Sequence, residues 1–445
     1  MCGVRGPYGR CGTIRCRAGL AAASAREPSM QSTHRKAALA FIFVTVILDV
    51  LALGIVIPVL PRLIEQFEGG NTARAAEVVG LFATVWAAMQ FFSAPVLGAL
   101  SDRFGRRPVI LLSCLGLGLD YLLMAVAPTL AWLFVGRLLS GVFAAGYATA
   151  SAYIADVTPP DKRAAAFGIV GAAWGFGFVA GPALGGILGD VDPRLPFWIA
   201  AALTLANAAY GLVVLPESLP VGRRAAFSWQ RANPLGALQF LRAHRELLGL
   251  ASLSFLYWLA HQVLSGVFVL YVGYRFGWST QTIGLTLAVV GICNVIVQGG
   301  LVRPIVRRIG ERRALVTAAL ASALGYLIFG MAPTDALFWA AIPIFALSGL
   351  YNPSLQGLMT RTVLPSEQGQ LQGAIGSIMA IAALVGPALF ALTFAYFLAP
   401  HRGVTLPGAP FVVASGLMLL AAWVAWQITQ RAPVAAHGVA PPKAR

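Results

Sequence analysis

Between residues 98 and 109 the chain reads GALSDRFGRRPV. Apolar runs flank the segment on both sides, so it reads as a tight polar turn between two apolar helices. Gly98 and Gly105 permit the close approach and the turn geometry. Asp102 is an acceptor that can satisfy a helix N-terminus. Arg103, Arg106 and Arg107 can pair across an interface or with anionic lipid; Arg107 reads as a topology anchor alone. The layout returns at residues 300–313, GLVRPIVRRIGERR, where a glycine and a polar turn precede a second glycine and paired arginines. Two such copies, each after the second apolar run of its own set, predict two parallel halves.

Crossing the hydrocarbon core takes about twenty apolar residues. Working outward from the two turns, twelve such stretches can be drawn: 38–60, 77–99, 108–126, 130–153, 165–188, 195–215, 248–271, 281–302, 314–332, 336–359, 370–397 and 410–430. With 58% apolar and 11% charged residues, the solvent of this chain is mostly lipid. The fold class is therefore an all-α membrane protein, with twelve transmembrane helices in two six-helix bundles. Residues 37–215 form the first bundle and 248–430 the second. The polar segment 216–247, with Arg223, Arg224, Arg231, Arg242 and Arg245, is a cytoplasmic linker. Residues 1–36 and 431–445 are tails.

The formal charge of +16 raises nucleic acid as a partner, but no basic face with interleaved aromatics supports it. Basic residues instead follow topology. With the N-terminus inside, the inner segments hold 26 of the 32 Lys and Arg, and the outer loops hold only Arg62, Arg74, Arg194, Arg275 and Arg402. Both termini are expected in the cytoplasm, in a bacterial inner membrane. The basic stretch 1–36 is either a flexible cytoplasmic arm or sequence upstream of a true start at Met30; the second reading is preferred. Cys2, Cys11 and Cys16 lie there with no nearby histidine to complete a zinc site, and Cys114 and Cys293 read as packing residues. No metal is expected. No cofactor is expected either, since no Walker phosphate loop occurs.

Further motifs lie within the spans. Span 1 reads ILDVLALGIVIPVLP from Ile47 to Pro61, span 3 reads LDYLL from Leu119, and span 4 reads GRLLSG from Gly136, followed by Ile154, Ala155 and Asp156. Span 5 reads GFGFVAGPALGG from Gly175 to Gly186. Together with the 98–109 turn, these resemble the major facilitator superfamily. More narrowly, they resemble its drug/proton antiporters, and most closely the tetracycline/proton antiporters. The resemblance covers 38–430 and implies alternating access. It carries functional carboxylates onto Asp49 and Asp120 and a functional arginine onto Arg137. It makes Gly98, Asp102, Gly105 and Arg106 a gating turn, with Asp102 contacting the other half on the cytoplasmic side as a latch on the outward-open state. Gly181 and Pro182 belong to a glycine-proline signature that suits export; generic small-residue packing is the competing reading.

Ionisable groups within spans are costly and are functional candidates by default. Asp49 lies about 15 Å from the inner end of its span, and Asp120 and Arg137 each lie about 10 Å from an outer end. Equal depth suits an ion pair or a shared proton site, and a static structural pair is the alternative. A carboxylate whose surroundings alternate between wet and dry changes its proton affinity, as proton coupling requires. His261 is either a packing residue or part of the pathway. Gln90, Gln262, Asn294, Gln298, Asn352 and Gln356 are candidate cavity groups, and Trp86, Trp174 and Tyr351 could offer stacking faces.

The resemblance fails in one place. The tetracycline antiporters carry a histidine in span 8 and an aspartate in span 9; here Asn294 stands in span 8, and span 9 has no acidic residue. The resulting expectation is proton-coupled efflux of a small amphipathic compound, with a tetracycline-like drug possible, by a protein that works as a monomer and is not an enzyme. Export of a different drug or a metabolite is the alternative, as is a same-fold importer. A receptor would need an appended domain, and a membrane enzyme would need a polar catalytic cluster.

Overall fold

The computed structural model describes residues 27–144, 146–159, 162–225, 240–241, 244–364, 367–399 and 405–431. Both tails beyond them, Cys2, Cys11, Cys16, Arg231 and Arg242 lie outside the described residues. Among the described residues every regular element is helical. Ten helices are long and apolar enough to cross a membrane. One of them, Thr280–Met331, would be about 78 Å long if straight, more than twice the hydrocarbon thickness. It breaks at Gly310, whose φ of 79° and ψ of 160° end one pass and start the next. A further pass is described as Leu130–Phe143 and Gly146–Val157. The described residues thus make twelve passes, and the chain is a multi-pass membrane protein.

The passes match the predicted spans with local differences. Spans 2 and 3 are Thr72–Phe104 and Arg106–Val126, joined at Gly105 alone. Span 8 begins at Thr280 and contains a π-turn, Val297–Leu301, so it runs past the predicted end at 302. Span 10 is built of Asp335–Ala346, a 3-10 turn at Leu347–Leu350, and Tyr351–Thr360. Turns at the end opposite the 98–109 segment supply their own caps: Asn71 accepts from Arg74 N–H at 3.1 Å, and Ser279 accepts from Thr282 N–H at 3.2 Å. Large apolar side chains such as Leu119, Leu212, Val213, Leu324 and Trp423 stay exposed, as a lipid-facing surface requires.

One pairing plan builds both halves. Span 1 packs on span 5 and span 3 on span 6; likewise span 7 packs on span 11 and span 9 on span 12. The halves meet where span 2 touches span 11 and span 5 touches span 8. These contacts gather at the end opposite the 98–109 turn. A Cβ built on Gly186 would lie 2.9 Å from Gly284 Cα, and one on Gly80 would run into Ala391. There too the Arg62 guanidinium donates to the Trp278 carbonyl at 2.5 Å. Toward the arginine-rich end the space is open: no described atom lies within 4 Å of a Cβ built on Gly98, Gly168, Gly171, Gly299, Gly300 or Gly376. The bundle is closed at one end and open at the other.

Candidate functional site

Asp49 points into the first half, not into the gap between halves. Asn207 of span 6 donates from Nδ2 to Asp49 Oδ1 at 3.0 Å, and the same nitrogen lies 3.3 Å from the Thr45 carbonyl and 3.8 Å from Cys114 Sγ. Asn207 is buried, and its Oδ1 has no protein partner. A carboxylate that moves between wet and dry surroundings must here do so inside the bundle of spans 1, 3 and 6.

Asp120 is wholly buried, and neither of its oxygens has a hydrogen-bond partner. Gly136 of span 4 makes room for it: a Cβ there would stand 2.9 Å from Asp120 Oδ1. Arg137 and Ser140, also on span 4, are the charged and polar side chains that act on the carboxylate. The expected close ion pair is not formed, since none within 4.0 Å joins Asp120 and Arg137. Instead the guanidinium carbon lies 5.4 Å from the Trp86 ring centroid, and Nε has no partner. Trp86 therefore offers its face to Arg137. Buried polar groups are nearly always paired, and each exception costs about 1–3 kcal/mol. A carboxylate and a guanidinium left apart at one depth form a set that can take up a proton or change partners.

The 98–109 turn is a closed polar network. Arg106 holds Asp102 at 2.6 Å and Asp156 Oδ2 at 3.2 Å, and donates to Ser101 Oγ. Glu217, at the start of the linker, accepts from the backbone N–H groups of Arg106 at 2.9 Å and Arg107 at 3.3 Å. The acceptor at the N-terminus of span 3 is thus Glu217 and not Asp102, and a carboxylate suits that positive helix end. Ser218 adds a bond to Asp156, and Arg107 donates to the Leu212 carbonyl. All these partners belong to the first half or to the start of the linker, so the expected contact of Asp102 with the other half is not made in this state. Neither Glu217 nor Asn207 stands out in the sequence as a site residue. The only signal for Glu217 was an acidic residue directly after an apolar run.

Span 5 is flat on two faces. Gly177, Gly181 and Gly185 meet span 1, with a Cβ on Gly181 only 2.7 Å from Gly54 Cα. Gly186 and the Pro182 carbonyl meet Gly284 of span 8. In the second half the candidates do not form one group. His261 Nδ1 lies 3.2 Å from the Tyr326 hydroxyl, within a column of rings: Tyr257 stacks on Tyr351 at 4.5 Å, and His261 stacks between Tyr257 and Phe345. Tyr351 is fully buried, so its face is not free. Gln262 accepts from Ser265 and packs on Gly386, and Gln356 donates to Gln372. Asn294 and Gln298 flank Gly349 of span 10, with Gln298 exposed toward the open end. Gln90, Asn352 and Trp174 are half-buried. Among the described residues no cluster of three or more His, Cys, Asp or Glu could hold a metal.

Comparison with known proteins agrees with this geometry. The family model described as Major Facilitator Superfamily matches residues 42–387. The class C tetracycline resistance protein of Escherichia coli is 37% identical over 386 residues, covering 86% of this chain and 95% of that protein. The hippocampus abundant transcript 1 protein of Homo sapiens is 30% identical over 78% of this chain and 76% of its own length. Among solved structures, a bacterial homolog of the human lysosomal transporter Spinster, inward-facing and unoccupied, superposes with a TM-score of 0.73 at 16% identity, covering 89% of this chain and 97% of its own. The human organic anion transporter MFSD10 gives a TM-score of 0.64 at 24% identity, over 88% of this chain and 99% of that one.

Proposed function

The chain belongs to the major facilitator superfamily, and from that premise we propose that it exports a small amphipathic compound in exchange for protons. Tetracycline-like drugs are the first candidates, given the relatives that bear that name over nearly their whole length. The observation that carries the reading is the buried, unpaired set of Asp120 and Arg137, together with Asp49 on Asn207, in a bundle open at one end only. Asp49 and Asp120 take protons from outside and release them inside. Arg137 tunes the proton affinity of Asp120. The open, arginine-rich end faces the cytoplasm, with both termini on that side of a bacterial inner membrane; the excess of Lys and Arg supports this orientation. The structure is then the inward-open state. Asp102 releases the other half here and latches it when the inner ends close. Residues 37–215 and 248–430 are the two rocking units, 216–247 is their linker, and a monomer suffices.

A second reading shares the mechanism but not the drug. Asn294 and the absence of an acidic residue in span 9 favour a different amphipathic compound, either a drug or a metabolite. The test is drug susceptibility of a pump-deficient bacterium expressing the wild type beside Asp49→Asn, against tetracyclines and unrelated amphipathic drugs. Protection that vanishes in the variant is the expected result. A variant that protects as well as wild type removes Asp49 from coupling, and a well-expressed wild type that protects against nothing overturns drug export.

A further inference from the structure

The internal repeat is closer in space than in sequence. Residues 105–156 and 310–361 align without a gap. Gly105 (φ 107°, ψ 159°) and Gly310 (φ 79°, ψ 160°) have the same left-handed turn. Both outer turns read Ala-Pro-Thr, at 127–129 and 332–334. At the arginine-rich end each half closes an ion pair across fifty residues of sequence. Arg106 meets Asp156 at 3.2 Å, and Arg361 meets Glu311 at 2.7 Å. The registers coincide and the signs are reversed: the residue after the turn glycine is basic in the first half and acidic in the second.

Each pair ties the start of one pass to the inner end of the next, joining spans 3 and 4 in the first half and spans 9 and 10 in the second. The Glu311 side chain is 18% exposed and its partner Arg361 is 75% exposed, and Gly357 of span 10 gives the carboxylate room, since a Cβ there would lie 2.9 Å from Glu311 Oε1. What the two halves share is the pairing and its place, and not the polarity. We propose that Glu311 and Arg361 form a second gating clasp, the counterpart of Arg106 and Asp156, and that the clasp works by pairing irrespective of which partner is acidic. This rests on the transport reading above.

The test uses the full chain in proteoliposomes, with native cysteines replaced by serine and spin labels on Arg103→Cys and Arg308→Cys, both exposed at the open end. Label distances and tetracycline uptake are read in parallel. Glu311→Gln and Arg361→Gln should each broaden the distance distribution and slow uptake about two- to fivefold, the scale of a part-exposed pair. The exchange variant Glu311→Arg/Arg361→Glu should return both readings to within about twofold of wild type. Wild-type distances in both single variants overturn the clasp. An exchange variant no better than the singles overturns its indifference to sign. A wild type that moves no tetracycline counts against the drug reading, and the distances still decide the clasp.

Discussion

In span 3 Asp120 lies against span 4 at Gly136, Arg137 and Ser140; at the matching places of the second half stand Gly325, Ala341, Ile342 and Phe345. The same two helices touch at the same two positions, but a Cβ on Gly325 would lie 2.8 Å from Phe345 Cβ. Carboxylate and hydroxyl on one side are replaced by hydrogen and ring on the other. The replacement leaves the backbone plan unchanged. It moves the costly, titratable groups into the first half and fills the second with rings, among them Tyr326, Phe329 and Phe345, with Tyr326 bonded to His261. One scaffold thus supports a bundle with buried charged groups and an aromatic one. The largest contacts between them are those of spans 2 with 11 and 5 with 8.

The comparison breaks first at Asp120. Asp120→Asn should abolish proton-driven uptake in everted vesicles, a loss of more than about tenfold, while exchange of drug down its own gradient persists. Loss of both modes would mean that Asp120 serves the fold and not the coupling. Arg137→Leu should also cost thermal stability, but only about 1–2 kcal/mol, because it removes a contact with the Trp86 face and no close ion pair; a melting scan reads it. Gly105→Ala and Gly310→Ala sharpen the contrast between the turns. Both need a left-handed residue at a cost of about 1–2 kcal/mol, but at Gly105 the new methyl also meets Glu217, whereas nothing lies within 4 Å at Gly310. Stability should fall more for Gly105→Ala. The smallest effect is expected from His261→Gln, which keeps a hydrogen-bonding partner for Tyr326. Uptake should stay within about twofold, with a flat pH profile difference, if His261 only packs.

Much of the architecture was legible before any coordinates. Hydropathy placed the twelve passes because apolar runs of about twenty residues cross lipid as helices, and the paired glycine turns exposed the repeat. Ends were less legible, since helices outrun the hydrocarbon core: span 2 continues to Phe104 and span 8 passes through a π-turn. At the site, Asp49, Asp120 and Arg137 stood out because charge in lipid is costly. Their partners did not. Asn207 and Glu217 are ordinary residues until spans 1, 3 and 6 meet, and an Asp120–Arg137 ion pair read from equal depth ignored the direction of Arg137, which turns to Trp86. The polar cavity set was the weakest reading, because sequence gives the depth of a glutamine but not the helix face it occupies.

Span 5 carries one more consequence. Helices usually interlock by side-chain ridges that drop into grooves, and each such fit is a notch from which rotation must climb. Between Gly54 and Gly181, and between Gly186 and Gly284, backbone rests on backbone. Such surfaces have no teeth. About these two crossings span 5 can pivot without lifting a side chain out of a groove, as a plain bearing turns in its sleeve, and the side chains that do interlock beside them, Val50 on Gly177 and Val179 on Gly291, set the stops.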